Sequence, residues 1–193
     1  MTIPALLQQA QQYQVVLVCG LYKSGTSLAT QLLTQAGLFN PASTTNPDER
    51  AYGQQLARYS TNECLQLRSL NNELMANEAH DYHTAITSYL AQWAKPMVLK
   101  DPKLVYTLVY WLKVLDASGL SFLVVFTQRQ QTELIQAWQK APLTRGLDDV
   151  PGAVQTWSAT LQKDIALCQE YGVPHTIIPI EALKAYSNSQ PHK

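Results

Sequence analysis

VVLVCGLYKSGTSL, Val15 to Leu28, joins a strand-like run, a glycine-bounded turn and the start of a helix in one continuous stretch. Val15–Cys19 is an unbroken apolar run with the length and β-branched content of a strand buried in a parallel sheet. Leu28, Ala29, Leu32, Leu33 and Ala36 then recur at helical spacing until Gly37, a residue suited to close a helix in the left-handed conformation. This order is the layout of a phosphate-binding loop. The backbone N–H groups of residues 23 to 27 fall at a helix N-terminus, where unsatisfied donors and the helix dipole favour an anion. Lys23, Thr26 and Ser27 add a cation and two hydroxyls at the same place. A turn that merely capped the helix would need one hydroxyl, and neither the lysine nor the second glycine.

The loop departs from a nucleoside-triphosphate loop in one informative way. Gly20 and Gly25 have the separation of G-x-x-x-x-G-K-[ST], but Thr26 stands where that motif has its lysine, and Lys23 lies upstream. The residues suit one phosphate, without the usual means of gripping a triphosphate with its Mg²⁺.

Composition confines the site to this kind of local feature. The chain has 193 residues, 46% of them hydrophobic, which is enough to bury a core as a single domain over residues 1–193. Fourteen basic residues balance fourteen acidic ones, so no overall field recruits nucleic acid or an acidic membrane. Cys19, Cys64 and Cys168 are widely separated in apolar-periodic segments and read as reduced core thiols of a cytoplasmic protein. Their spacing is not that of a zinc site, and no metal is expected. The start, MTIPALLQQAQQYQ, has no basic region followed by a long apolar core. The most apolar internal run, Leu104 to Leu112, is too short to span a membrane. A soluble, unprocessed protein without a transmembrane segment is the expectation.

Strand and helix signals alternate beyond the loop. Asn40 to Gly53 is polar and reads as a long surface loop, and helical periodicity follows over Gln54–Leu67 and Asp81–Trp93. Met97–Leu99 is a short strand, and Asp101 with Pro102 has the pattern of an N-cap and first helical residue. The helix they open carries Leu104, Leu108, Trp111, Leu112 and Leu115 and ends before Gly119. Ser121–Phe126 is the second well-marked strand, and Gln130–Lys140 is a helix stopped by Pro142. A loop through Pro151 leads to a long helix marked by Val154, Trp157, Leu161, Ile165 and Cys168, then to a strand over His175–Ile180. Such alternation implies right-handed βαβ units, a mostly parallel sheet and helices on both faces, a three-layer α/β/α architecture. Ligands of such sheets gather at the carboxyl ends of the strands. Three cationic, hydrogen-bonding clusters fall there: Lys23 to Ser27, Lys100 to Lys103, and Thr127 to Arg129. Their joint placement favours an anionic ligand with two separated phosphates.

These residues resemble a family. YKSGTSL in its strand, loop and helix looks like the 5′-phosphosulfate loop of sulfotransferases that use 3′-phosphoadenosine 5′-phosphosulfate (PAPS), with their [KR]-S-G-T-[ST] core. LKDPKL before an aromatic-rich helix is similar to the K-D-P-[RK]-L segment of the bacterial members, and FLVVFTQRQQTELIQAW to the strand, arginine and helix that hold the 3′-phosphate. Weaker echoes are Asn46–Pro47 with Ala51–Gln54, and Trp157 in the penultimate helix. The resemblance runs, with gaps, from Val15 to Leu183 and implies a P-loop NTPase-like sulfotransferase architecture.

It also implies roles. Lys23, with the backbone of Ser24 and Gly25, would hold the 5′-phosphate and its bridge to the sulfuryl group, and Thr26 and Ser27 would donate to that phosphate. Arg129 would pair with the 3′-phosphate, and Lys100 and Asp101 would line the transfer site. The implied activity is sulfuryl transfer from PAPS to a hydroxyl or amine of a small-molecule, glycan or lipid acceptor, leaving 3′-phosphoadenosine 5′-phosphate (PAP). Two positions depart from the pattern. Ala137 replaces a serine that also binds the 3′-phosphate, and Gln54 replaces a glutamate that serves as general base. Asp48, Glu49, His80 and His83 are nearby alternatives for the base. A catalytically weak nucleotide-binding or regulatory domain is the reading those departures favour. A P-loop nucleotide kinase is the third, opposed by Thr26 at the lysine position.

Overall fold

All five residues of the first strand, β1 (Val15–Cys19), are buried, because β1 lies inside the sheet and both its faces are covered. The computed structural model describes residues 1–41, 65–76, 81–141, 144 and 146–190. In chain order these form α1 (Ile3–Ala10), β1, α2 (Thr26–Gln35), α3 (Leu65–Met75), α4 (Tyr82–Ala91) and β2 (Met97–Lys100). There follow α5 (Leu104–Ala117), β3 (Phe122–Gln128), α6 (Gln131–Gln139), α7 (Val150–Glu170), β4 (His175–Pro179) and α8 (Ile180–Ser189). Four parallel strands pair in the order β2-β1-β3-β4. The chain leaves β1 for one neighbour, β2, and then crosses to the other, β3. That reversal opens a crevice at the carboxyl ends of β1 and β3.

Alternation along β1 divides the core into two layers. Val15, Leu17 and Cys19 face a cluster built with α3, α4, α5, α6 and α7, whose largest fully buried member is Trp111. Val16 and Val18 face a second cluster with Ile3, Leu6, Ala29, Leu32, Leu33 and Leu183 from α1, α2 and α8. The result is an α/β fold with helices on both faces of a parallel sheet. No helix among the described residues is long and apolar enough to cross a membrane.

Several boundaries differ from the sequence expectation, each for a local reason. The helix expected to open at Asp101–Pro102 begins at Leu104. The Asp101 carboxylate accepts the Lys103 N–H at 2.8 Å, and the Asp101 carbonyl accepts the Leu104 N–H, so a tight turn precedes the helix. Pro151, read as loop, lies in the first turn of α7, whose N-cap Asp149 accepts the Gly152 N–H at 2.9 Å. The strand expected to end at Phe126 runs on through Gln128, because β4 continues its ladder to the Gln128–Pro179 register. The helix expected over Gln54–Leu67 meets α3 only at residues 65–67, its earlier part lying outside the described residues, and α3 continues to Met75. Two further helices had no expectation. Thr2 and Pro4 open α1, and α8 follows β4 directly. The expectations for Gln54, Asp48, Glu49, His80, Cys64, Pro142, the echoes within 46–54 and most of the 40–53 loop lie outside the described residues.

Cys19 and Cys168 are both buried and free. Burial, and to a smaller degree the neighbouring acidic groups Asp164, Cys168 and Asp101, raises the Cys19 thiol well above its ordinary value and keeps it protonated. Burial likewise lifts Cys168 to about 11. Asp164, one turn before Cys168 on α7, has a buried Oδ2 without a hydrogen-bond partner, and desolvation raises it from 3.8 to about 7. Between those values the folded protein holds a proton that the unfolded chain has released. Stability conferred by the neutral acid is therefore complete below about pH 4 and lost as pH rises through 7. Asp164→Asn should match the parent in chemical denaturation at pH 4 and exceed it progressively to pH 8, by at most ~4 kcal/mol and by less where solvent screens the group. Parallel pH profiles of the two proteins would refute this account.

Candidate functional site

The crevice at the β1 and β3 carboxyl ends is built around a missing side chain. A Cβ on Gly20 would fall 2.2 Å from Thr127 Oγ1, 2.6 Å from Ser24 Oγ and 3.0 Å from the Thr127 carbonyl oxygen. In the space that glycine leaves, the Ser24 and Thr127 hydroxyls share a 2.8 Å hydrogen bond, with Ser24 only 1% and Thr127 0% exposed. This bond ties the loop after β1 to the end of β3. The Ser24 N–H donates to the Leu21 carbonyl at 3.0 Å and so closes the turn. With that amide spent inside the loop, the donors facing an anion would be those of Gly25 and the first turn of α2, which have no helical acceptor.

Two further contacts pin the loop's carbonyls. Trp138 Nε1 donates to the Tyr22 carbonyl at 2.6 Å, and an Arg129 Nη1 donates to the Lys23 carbonyl at 3.3 Å. They hold Lys23 at φ +69°, a left-handed conformation that costs an ordinary residue about 1 kcal/mol or more. Gly25 follows at φ +102°, and the N-terminal residue of α8, Ile180, comes within 2.9 Å of where its Cβ would be. Conformation and space both require glycine there.

The sequence-predicted residues meet at this edge. Lys23 is exposed, with its ammonium 5.0 Å from the centroid of the Tyr22 ring. Thr26 and Ser27 begin α2, Thr26 buried and Ser27 half-buried. Lys100 ends β2 in register with Val18, and both Lys100 and Asp101 are buried. Arg129 follows β3 directly and is held by Glu133, Nε to Oε2 at 2.9 Å, in the first turn of α6. His83 is exposed on the first turn of α4 and lines neither of the cavities described below. Ala137 is half-buried on α6. Among the described residues no group of three or more His, Cys, Asp or Glu side chains is arranged as a metal site.

Two cavities flank the loop. One, of about 560 Å³, lies on the β3 and β4 side and is lined by Ser24, Thr127, Arg129, Gln131, Ser158 and Gln162 among others. Its polar lining is mostly amide and hydroxyl, with Arg129 and Glu181 as the charged groups. The other, of about 320 Å³, lies on the β2 side between Tyr22, Asp101, Lys103, Trp138 and Trp157. The larger cavity thus has a mostly uncharged polar lining, and the smaller one combines aromatic rings with the charged groups of Arg68, Asp101 and Lys103, with the loop after β1 between them.

Thr127 and Gln128 belong to the strand-end cluster read from the sequence, but the partnership of Thr127 with Ser24 was not foreseen. Glu133, Gln131, Ser158 and Gln162 are contributions that sequence reasoning missed, and no local signal marked them.

Comparison with family models, with characterised proteins and with solved structures finds no match for this chain.

Gly20 therefore sets the geometry of the loop. Gly20→Ala should cost about 1–3 kcal/mol of stability by overpacking the Ser24–Thr127 contact. Gly20→Ala combined with Thr127→Ala, which removes the nearest atom, should recover part of the loss in thermal unfolding. Equal midpoints for Gly20→Ala and the parent would show that the crevice is looser than the contacts imply.

Proposed function

We propose that this chain binds 3′-phosphoadenosine 5′-phosphosulfate and transfers its sulfuryl group to a hydroxyl or amine acceptor. The reading is carried by one observation: Arg129 donates to the backbone of Lys23, which couples two cationic groups of the sequence pattern across the β1/β3 crevice. A ligand with a phosphate at each of these groups is favoured over one with a single phosphate. The donor's dimensions also suit the larger cavity, whose 560 Å³ lies within the usual range for a small-molecule site.

The residues divide the work. The amides of Gly25 and α2, with the Thr26 and Ser27 hydroxyls, bind the 5′-phosphate. Lys23, exposed beside it, reaches the oxygen that bridges phosphate and sulfur and offsets the charge that grows there. Arg129, oriented by Glu133, presents its remaining N–H groups to the 3′-phosphate. The donor supplies a sulfuryl group whose bond to the phosphate oxygen breaks as a bond to the acceptor forms. Lys100 and Asp101 border that transfer on the β2 side. The lack of a lysine at position 26 argues against a nucleotide kinase.

A thermal-shift panel with PAP, with ATP–Mg²⁺ and with neither tests the reading. PAP at a hundred times its Kd should stabilise the protein by ~2.7 kcal/mol, several degrees in Tm. Lys23→Ala and Arg129→Ala should each abolish the shift at that concentration. A shift with ATP–Mg²⁺ alone, or a PAP shift that survives in both variants, would sink it.

A further inference from the structure

A third cavity, of about 370 Å³, lies between α5 and the end of α7, where Phe122 begins β3 and Val173 precedes β4. It is therefore at the opposite end of these strands from the crevice. Most of its lining is apolar: Leu112 is buried, Phe122, Leu167 and Val173 are half-buried, and Val109 and Tyr171 are 37% and 70% exposed. A single exposed apolar side chain is ordinary, but a groove that gathers two of them beside half-buried neighbours is a surface that gains by being covered.

The charged groups of this groove both belong to α5. Val109, Leu112, Lys113 and Asp116 follow the i, i+3, i+4, i+7 spacing of one helix face, with Lys113 and Asp116 one turn apart. Both are exposed, and among the described residues neither side chain makes an ion pair or a hydrogen bond. The face thus carries one unanswered cation and one unanswered anion around an apolar groove. Such a face is complementary to its own copy after a half rotation.

We propose that this groove is the contact between two copies of the chain, related by a twofold axis that sets their α5 helices antiparallel. Lys113 of each copy then meets Asp116 of the other, and the apolar lining of one groove covers that of its mate. Tyr171, exposed at the groove's edge, is the ring that each copy presents to the other. The balance of fourteen basic against fourteen acidic residues removes net repulsion between copies. A partner of a single charge sign would match one of the two groups and oppose the other, and a small apolar ligand would answer neither. Because the face lies at the amino ends of the strands, the dimer leaves both crevices open, and the inference does not depend on what they bind.

Sedimentation equilibrium of the full chain, from low to high micromolar concentration, reads the association directly. The parent is expected to pass from the mass of one chain to that of two. Lys113→Asp and Asp116→Lys each set like charges against one another and should each weaken dimerisation at least tenfold, with unchanged circular dichroism. An equimolar mixture of these two variants should regain the dimer, since an all-acidic pair then meets an all-basic one; chains that had lost their fold would not. Tyr171→Ala should also weaken dimerisation at least tenfold. A parent that stays monomeric over the whole range would overturn the inference and leave the groove to a small apolar ligand or a different protein. So would a dimer that either charge variant preserves, or a mixture that stays monomeric.

Discussion

The hydroxyl pair between Ser24 and Thr127 is the contact on which the arrangement at the sheet edge depends. It requires a position without a side chain at Gly20, two strands in parallel register, and a loop that turns back at once toward β3. A buried hydrogen bond of this kind contributes only about 1 kcal/mol net, but leaving either hydroxyl unpaired costs more. Its larger effect is geometric. It fixes where the first residues of α2 begin, and so where the loop's amides can point.

The loop is held from outside as well as from within. Lys23 adopts a left-handed conformation that nothing in its own side chain favours, and the strain is offset by donors from the segment after β3. Trp138 and Arg129 grip consecutive carbonyls from α6 and its approach. The same Trp138 stacks edge-on with Tyr22 and Trp157, so the wall of the smaller cavity and the shape of the loop after β1 are not independent features. Packing on the β2 side reaches the loop through a single ring.

What the sequence made legible follows from how local each signal is. β1, the loop and α2 could be read because a buried apolar run, two glycines and a 3.6-residue repeat all lie within one short segment. The alternation of strands and helices was enough for a parallel sheet, and the parallel sheet was enough to bring Lys23, Lys100 and Arg129 to one edge. Asp101–Pro102 and Asp149–Val150–Pro151 carry nearly the same helix-start signal, yet one opens its helix at once and the other two residues later. The difference is that the Asp101 carboxylate bonds only two residues ahead, to Lys103, where Asp149 bonds three ahead, to Gly152. No composition rule separates a turn from a cap at that resolution. α1 and α8 escaped notice because their burial comes from the second core layer, where Ile3, Leu6 and Leu183 complete a surface set by other elements.

With acidic and basic residues in balance, long-range attraction for any anion is weak, and the ligand proposed above would have to be selected by contacts at short range. Arg129 illustrates the compromise. Glu133 neutralises one side of its guanidinium and the Lys23 carbonyl occupies part of another, so the free protein keeps the cation partly satisfied and correctly aimed. An arginine can do this because its donors form a planar fork, in which some N–H groups serve the fold while others face outward. A lysine at the same place would have to surrender its only point of charge to one task or the other. Arg129, which helps hold the loop through the Lys23 carbonyl, is therefore also the side chain to which the proposed reading assigns the second phosphate, so shape and recognition at this edge would share one residue.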